Sequence, residues 1–209
     1  MRVRSFRWVL WGVVGVVGFT LAILMLGAAL DRAKAPAFSA APVTSIGGPF
    51  AMTDQDGRSV TEADFAGRPS AMFFGFTSCP DVCPTMLMQM SNWLDQLGPL
   101  ADRLQPIFVS VDPERDTPEV IKTYLSAFDP RITGLTGTPG QVAEFAQNYG
   151  VFYEKVPVGD DDYTMNHTAG TLLFDGSGAF RGTADYHDDS EAALAKLRRL
   201  AERGASGND

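Results

Sequence analysis

Apolar and polar positions divide the chain into stretches of different character. Residues 8–30, WVLWGVVGVVGFTLAILMLGAAL, carry no charge over 23 positions. As a helix that run measures about 35 Å, enough to cross a bilayer with some tilt. Arg2, Arg4 and Arg7 precede it. Basic flanks stay on the cytoplasmic side, so residues 1–7 are expected inside and the rest of the chain outside. A cleaved signal peptide is the competing reading, although its apolar region is usually only about 7–15 residues long. Residues 31–48, DRAKAPAFSAAPVTSIGG, have the Ala, Pro, Ser and Gly content of a flexible linker. A patterned domain follows over residues 49–203, and GASGND, residues 204–209, reads as a frayed tail.

Within the domain, short apolar runs alternate with helical periodicity. FAMTDQDGRSV sets a DG turn between two short stretches and predicts a hairpin. SAMFFGF and QPIFVSV are continuous apolar runs, the signature of buried strands, and PTMLMQMSNWLDQLG between them has helical length and period. Two such strands flanking a helix are expected to be parallel with a right-handed crossover. TPEVIKTYLSAF offers Thr117 as N-cap and Pro118 at the first helical position. PGQVAEFAQNYG is a helix closed by Gly150. VFYEKVPV, GTLLFD and AFRGTAD predict strands, the last two as a hairpin, and SEAALAKLRRLAER a final amphipathic helix. The fold class that results is α/β, on the thioredoxin-like plan, with an N-terminal β-hairpin and one preceding transmembrane helix.

Charge sharpens the division. Residues 1–34 hold five Lys/Arg and one acid, a net of +4; residues 35–209 hold 12 Lys/Arg and 24 acids, a net of −12. A nucleic-acid binder needs a basic stripe, so nucleic acid is excluded as partner. A basic protein or a cationic cargo fits the sign, although acidity alone also serves solubility.

The chemistry concentrates in TSCPDVCPT, residues 77–85, which contains both cysteines of the chain, Cys79 and Cys83. It lies where the first core strand meets the first core helix, at the sheet edge where open α/β folds place their sites. Pro80 and Pro84 suit a turn or a first helical turn, not a helix interior. The positive end of the helix is expected to lower the thiol pKa values. Residues four apart on a helix share a face, which permits a disulfide or joint ligation. Three readings follow. A structural disulfide would close a very small loop and gain little chain entropy. A thiol-disulfide exchanger would space its cysteines by two residues and face them with a proline, where this chain has three residues and Gly170. A metal site needs a third donor, and His167, in the loop before GTLLFD, is expected to face the helix start. Two thiolates and an imidazole suit Cu(I), and zinc takes the same set, usually with a fourth ligand.

Other residues are read more plainly. Met86, Met88, Met90 and Met165 are soft donors, but methionines at helical spacing are ordinarily core filler. Asp112, Pro113, Glu114, Arg115 and Asp116 form a charged loop at the C-terminal end of a strand, which reads as turn chemistry plus the N-cap of the next helix. Asp160 to Asp162 read as a solvated loop. His187, among acidic neighbours, reads as a surface residue and not a fourth ligand.

TSCPDVCPT, SVDPERDTPEVIKTY and the histidine before TLLFD together resemble the SCO/SenC family of copper-binding oxidase-assembly proteins, over about residues 48–200. The resemblance implies a thioredoxin-like domain that binds Cu(I) or Cu(II) through Cys79, Cys83 and His167, with Cys79 and Cys83 also forming a redox disulfide. It implies a metallochaperone for the dinuclear copper (CuA) centre in subunit II of cytochrome c oxidase, acting by copper delivery, thiol reduction or both. Another periplasmic copper chaperone would be the donor, and the Asp112–Asp116 loop would have a role near the metal edge or in partner contact. The expected location is a bacterial inner membrane, single-pass, with the domain in the periplasm. The alternatives are a periplasmic thiol-disulfide oxidoreductase and a copper- or redox-responsive signalling protein. The chain departs from the family at Asn166, where an aspartate often precedes the histidine and would tune it.

Overall fold

Two apolar runs form the centre of the sheet because neither has a polar face to offer water. β3 (Ser70–Gly75) and β4 (Gln105–Ser110) are buried at every position and pair in parallel from Ser70↔Gln105 to Gly75↔Ser110. Strands covered on both faces read as unbroken hydrophobic runs, not as alternation. The structure, a computed structural model, describes residues 46–159, 162–184 and 190–203, together with Thr20. The apolar run 8–30 otherwise lies outside the described residues, as do most of the linker, Asp160, Asp161, His187 and the tail. Among the described residues no helix is long and apolar enough to cross a membrane.

Among the described residues, the sheet around β3 and β4 has seven strands in the order β2 (Ser59–Thr61), β1 (Ala51–Asp54), β5 (Thr133–Thr136), β4, β3, β8 (Thr171–Phe174), β9 (Phe180–Ala184). The hairpin of β1 (Ala51–Asp54) and β2 (Ser59–Thr61) is present as expected. Asp54, 1% exposed, closes its turn by accepting the backbone N–H groups of Asp56 and Arg58, both at 2.9 Å. Gly57 supplies the positive φ of +79° that the turn requires. β5 (Thr133–Thr136) joins this hairpin to β4, pairing parallel with β4 and antiparallel with β1. Its sequence TGLT is too short and too polar to announce a strand, and the reading above has none there. It is held by tertiary packing: a Cβ on Gly134 would lie 2.3 Å from Ile121 and 2.7 Å from Leu125. On the other flank β8 (Thr171–Phe174) and β9 (Phe180–Ala184) form the late hairpin, β8 antiparallel to β3.

Helix α1 (Val82–Leu97) follows β3 and buries Met86, Leu87, Met90, Trp93, Leu94 and Leu97, the three-and-four spacing of one face. α2 (Pro118–Leu125) begins as predicted, the Thr117 hydroxyl accepting from Val120 N–H with Pro118 next in line. α3 (Pro139–Tyr149) is closed by Gly150 at φ +66°. α4 (Ser190–Arg203) turns Ala193, Leu197, Leu200 and Ala201 inward and meets α1 where Gln89 Nε2 and Trp93 Nε1 donate to Ser190 Oγ at 3.0 and 3.4 Å.

A second departure from the expected plan, beside β5, lies near the histidine. β6 (Tyr153–Val158) pairs with β7 (Asp162–His167) in a separate two-stranded sheet. His167 therefore ends a strand, where a loop was expected, and Asp162 opens that strand instead of lying in a solvated loop. DYTMNH forms a half-buried strand without the continuous apolar run that marks β3 and β4.

Candidate metal centre

The cysteine segment is built by the strand that ends before it and the helix that starts inside it. Cys79 lies in the turn after β3, its N–H donating to Phe76 O at 3.3 Å. Cys83 is the second residue of α1. Asp81 occupies the N-cap position without capping through its side chain. The free N–H of Cys83 instead meets Cys79 Sγ at 3.4 Å, so a thiol satisfies one of the helix's orphan donors. Gly75 makes room for this arrangement, since a Cβ there would stand 2.9 Å from Cys83 Sγ and 3.0 Å from the Phe108 ring. Both cysteines are free thiols, Cys79 half-buried and Cys83 fully buried.

Burial corrects one expectation. The Cys83 thiol is pushed up, not down, first by desolvation and then by the hydrogen bond with the Cys79 side chain. The opposing bond to the Phe76 backbone is outweighed. A helix terminus favours a thiolate, but removing that charge from water costs more.

Ahead of the cysteines, the turn is tied down by Asp116. This carboxylate, 0% exposed, accepts Thr77 N–H at 3.0 Å, Thr77 Oγ1–H at 2.6 Å and Ser110 Oγ–H at 2.6 Å. Its own pKa is raised by burial despite those three donors. The Asp112–Asp116 loop is thus more than turn chemistry, because two of its carboxylates are buried and bonded across the fold.

His167 arrives from β7, whose alternation points Tyr163, Met165 and His167 to one face and Asn166 to the other, where it is exposed opposite Glu154. The residue whose identity departs from the family pattern therefore does not share the histidine's face. His167 Nδ1 lies 2.9 Å from Thr168 O. A carbonyl can only accept, so Nδ1 carries the proton and Nε2 presents its lone pair. Nε2 stands 3.8 Å from Cys83 Sγ. The Phe76 ring meets the imidazole edge-on with centroids 5.8 Å apart. Burial lowers the His167 pKa, partly offset by the Thr168 carbonyl, which keeps the ring neutral and able to donate a lone pair.

The structure thus brings Cys83 into contact with both Cys79 and His167. Among the described residues no three His, Cys, Asp or Glu side chains stand gathered around one point as they would with an ion in place. The donors nonetheless fit one. Two thiols and an imidazole whose Nε2 lone pair faces Cys83 Sγ are the donor types that soft and borderline ions take. Met86, Met90 and Met165 are buried in the core and Met88 is 52% exposed. A cavity of about 340 Å³ lined by Phe50, Phe65, Met72, Tyr149 and Phe174 lies at the opposite end of β3, by Ser70, and has no part in this site. Sequence reasoning passed over Thr77, Ser110 and Tyr163. Nothing marks the first two, whereas Tyr163 could have been found as the residue two and four positions from Met165 and His167.

A family model described as SCO1/SenC matches residues 39–202. The chain is 38% identical over 157 residues to the mitochondrial protein SCO2 of Saccharomyces cerevisiae, covering 74% of this chain and 52% of that protein. It is 40% identical over 137 residues to an SCO2-like protein of Rickettsia prowazekii, covering 65% of this chain and 67% of the other. The chain thus spans about half to two thirds of the length of these relatives. Among solved structures, that of Bradyrhizobium japonicum ScoI with copper bound superposes with a TM-score of 0.70 at 48% identity, over 75% of this chain and 99% of the other.

Proposed function

Since the chain belongs to the SCO1/SenC family, we propose that it carries copper on Cys79, Cys83 and His167 and assists assembly of the CuA centre of cytochrome c oxidase subunit II. The observation that carries this reading is the neutral imidazole whose Nε2 faces Cys83 Sγ at 3.8 Å, with Cys79 Sγ one contact further on. Thiolates and an imidazole favour copper among first-row ions in a low-coordinate site. The copper-bound relative from Bradyrhizobium supports the same cargo.

The residues divide the work. Thr168 fixes the imidazole tautomer, so His167 offers Nε2 without a rearrangement. Cys83 holds its proton while the site is empty, because the thiolate would be buried without a partner. Loading copper must therefore displace that proton, and binding weakens as pH falls. Cys79, half-buried, is the donor open to an incoming thiolate from the recipient. Three protein ligands leave coordination space for that thiolate, so copper passes by exchange and is never released as a free ion. Two free thiols four residues apart also permit reduction of a disulfide on the recipient, with Cys79 and Cys83 becoming the oxidised pair.

The apolar run over 8–30 and the arginines before it support a single-pass anchor. In this reading residues 1–7 are cytoplasmic, 31–48 are a tether, 49–203 form a periplasmic domain and 204–209 a tail, with a second periplasmic copper chaperone as donor. The test is copper titration of the reduced full-length protein against His167→Ala, read by absorbance and EPR. The variant is expected to lose the wild-type copper signature and bind much more weakly while keeping its fold. Unchanged copper binding would refute the ligand set, and undiminished thiol exchange without any copper binding would favour an oxidoreductase.

A further inference from the structure

The histidine reaches the cysteines on a part of the molecule that shares no ladder with the main sheet. Among the described residues β6 and β7 pair only with each other, so side-chain contacts, together with the short connections to α3 and β8, set where the arm stands. At one end of its inward face is His167, in the middle the buried Met165, and at the other end Tyr163.

Tyr163 is held by the loop between β4 and α2. Its hydroxyl donates to Asp112 Oδ1 at 2.8 Å, and Asp112 is 1% exposed. Arg115 bonds Asp112 Oδ2 through Nε at 2.5 Å and reaches Tyr163 O through Nη1 at 2.9 Å. The Arg115 guanidinium also lies over the Tyr163 ring, 3.8 Å from the centroid, a cation–π contact in a half-buried place. Its Nη2 is buried with no hydrogen-bond acceptor among the described residues. Lys155, on β6, lies 4.2 Å from the same ring and pairs with Glu114 at 2.7 Å. Arg115 Nη1 adds Asp162 at 3.2 Å. Both strands of the arm are thereby fastened to one loop, with Tyr163 at the centre of these contacts.

The same loop holds the other half of the site. Asp116, four residues after Asp112, bonds Thr77 and fixes the turn that carries Cys79. One short segment therefore registers the thiol side and the imidazole side against each other. Distance makes the register matter. Tyr163 and His167 lie four residues apart on one face of β7, about 13 Å, with Met165 buried between them, so the tilt set at Tyr163 is carried along the strand to the imidazole.

We propose that Tyr163 is a positioning residue: clasped by Arg115 and Asp112, it sets the β6–β7 arm so that His167 stands within ligating distance of Cys83. The inference rests on the copper ligand set proposed above and adds residues that touch neither copper nor its ligands. Two variants separate the contributions. Tyr163→Phe keeps the ring under Arg115 and loses the bond to Asp112, whereas Arg115→Met loses the cation and keeps the phenol.

The test uses the full-length protein with two readouts. In the copper-free state, amide hydrogen exchange should quicken across residues 153–167 in both variants while β3, β4 and β8 keep wild-type protection. Copper affinity should fall about tenfold, the scale seen for residues that orient ligands, and the EPR spectrum should shift toward that of His167→Ala. In a His167→Ala background, neither variant should weaken copper binding further. Unchanged exchange in the arm overturns the clasp. Quickened exchange with a wild-type copper spectrum overturns positioning. A His167→Ala protein with wild-type copper binding instead overturns the ligand assignment, and with it any positioning of that ligand, and is recognised by the single variant alone.

Discussion

Replacing Asp116 by alanine removes the acceptor of three hydrogen bonds behind the cysteine turn, to Thr77 N–H, Thr77 Oγ1 and Ser110 Oγ. Bonds to a charged group contribute about 1.5–3 kcal/mol each, so the gross loss is roughly 5 kcal/mol or more. Part of this is returned, because a fully buried carboxylate bears a desolvation cost, as its raised pKa shows. The Ser110 hydroxyl also keeps one partner, the Asp112 N–H at 3.0 Å. The net destabilisation is expected at about 2–4 kcal/mol, a fall in Tm of roughly 5–15 °C for a domain of this size. Asp116→Asn retains one acceptor and is expected to lose about half as much. The pH dependence has a definite sign. A carboxyl whose folded pKa is raised contributes stability that is fully present below its unfolded value and is lost as pH rises through the folded value. The gap between wild type and Asp116→Asn should therefore be wider at pH 4 than at pH 7. Thermal unfolding by circular dichroism at both values decides it. A Tm for Asp116→Ala within about 2 °C of wild type at pH 7 would refute the reasoning.

Gly75→Ala would set a methyl 2.9 Å from Cys83 Sγ and 3.0 Å from the Phe108 ring; overpacking of this kind costs about 1–3 kcal/mol, measurable by urea unfolding, and a neutral outcome would show that the Cys83 side chain can move. The two thiols should also differ in reactivity: with Cys79 half-exposed and Cys83 buried and its pKa raised, iodoacetamide at pH 7 is expected to label Cys79 well ahead of Cys83, with the lag shrinking as pH rises. Equal labelling of both in the native protein, followed by mass spectrometry, would contradict the buried protonated thiol.

Most of the main sheet was legible because its strands announce themselves. SAMFFGF and QPIFVSV leave no room for a polar face, and the Thr117–Pro118 and Gly150 signals mark helix ends by their own chemistry. β5 was not legible: TGLT gains its strand from neighbours on both sides and from the helix that presses on Gly134. β7 was missed because DYTMNH lacks an apolar run, and among the described residues its one ladder is with β6. The cysteine pair and His167 could be named from sequence, because residue type and position relative to a strand end carry that information. What a linear reading could not supply is depth. The helix terminus and the burial of Cys83 act on the thiol in opposite directions, and only packing decides between them. The Asp112–Asp116 loop shows the same limit, as its two functions depend on Thr77 and Tyr163, which lie 39 and 51 positions away along the chain.

The contact between Cys79 Sγ and the Cys83 N–H gives the sulfur a second duty, as the start signal of a helix. Asp81, which would ordinarily supply that signal, does not. The quality of the cap then follows the electronic state of the sulfur: a thiolate is a strong acceptor, a thiol a weaker one, a disulfide sulfur weaker still. In the proposed reading, a Cys79–Cys83 disulfide would weaken this acceptor, so oxidation at the motif would be felt in the opening turn of α1 as well as at the two sulfur atoms.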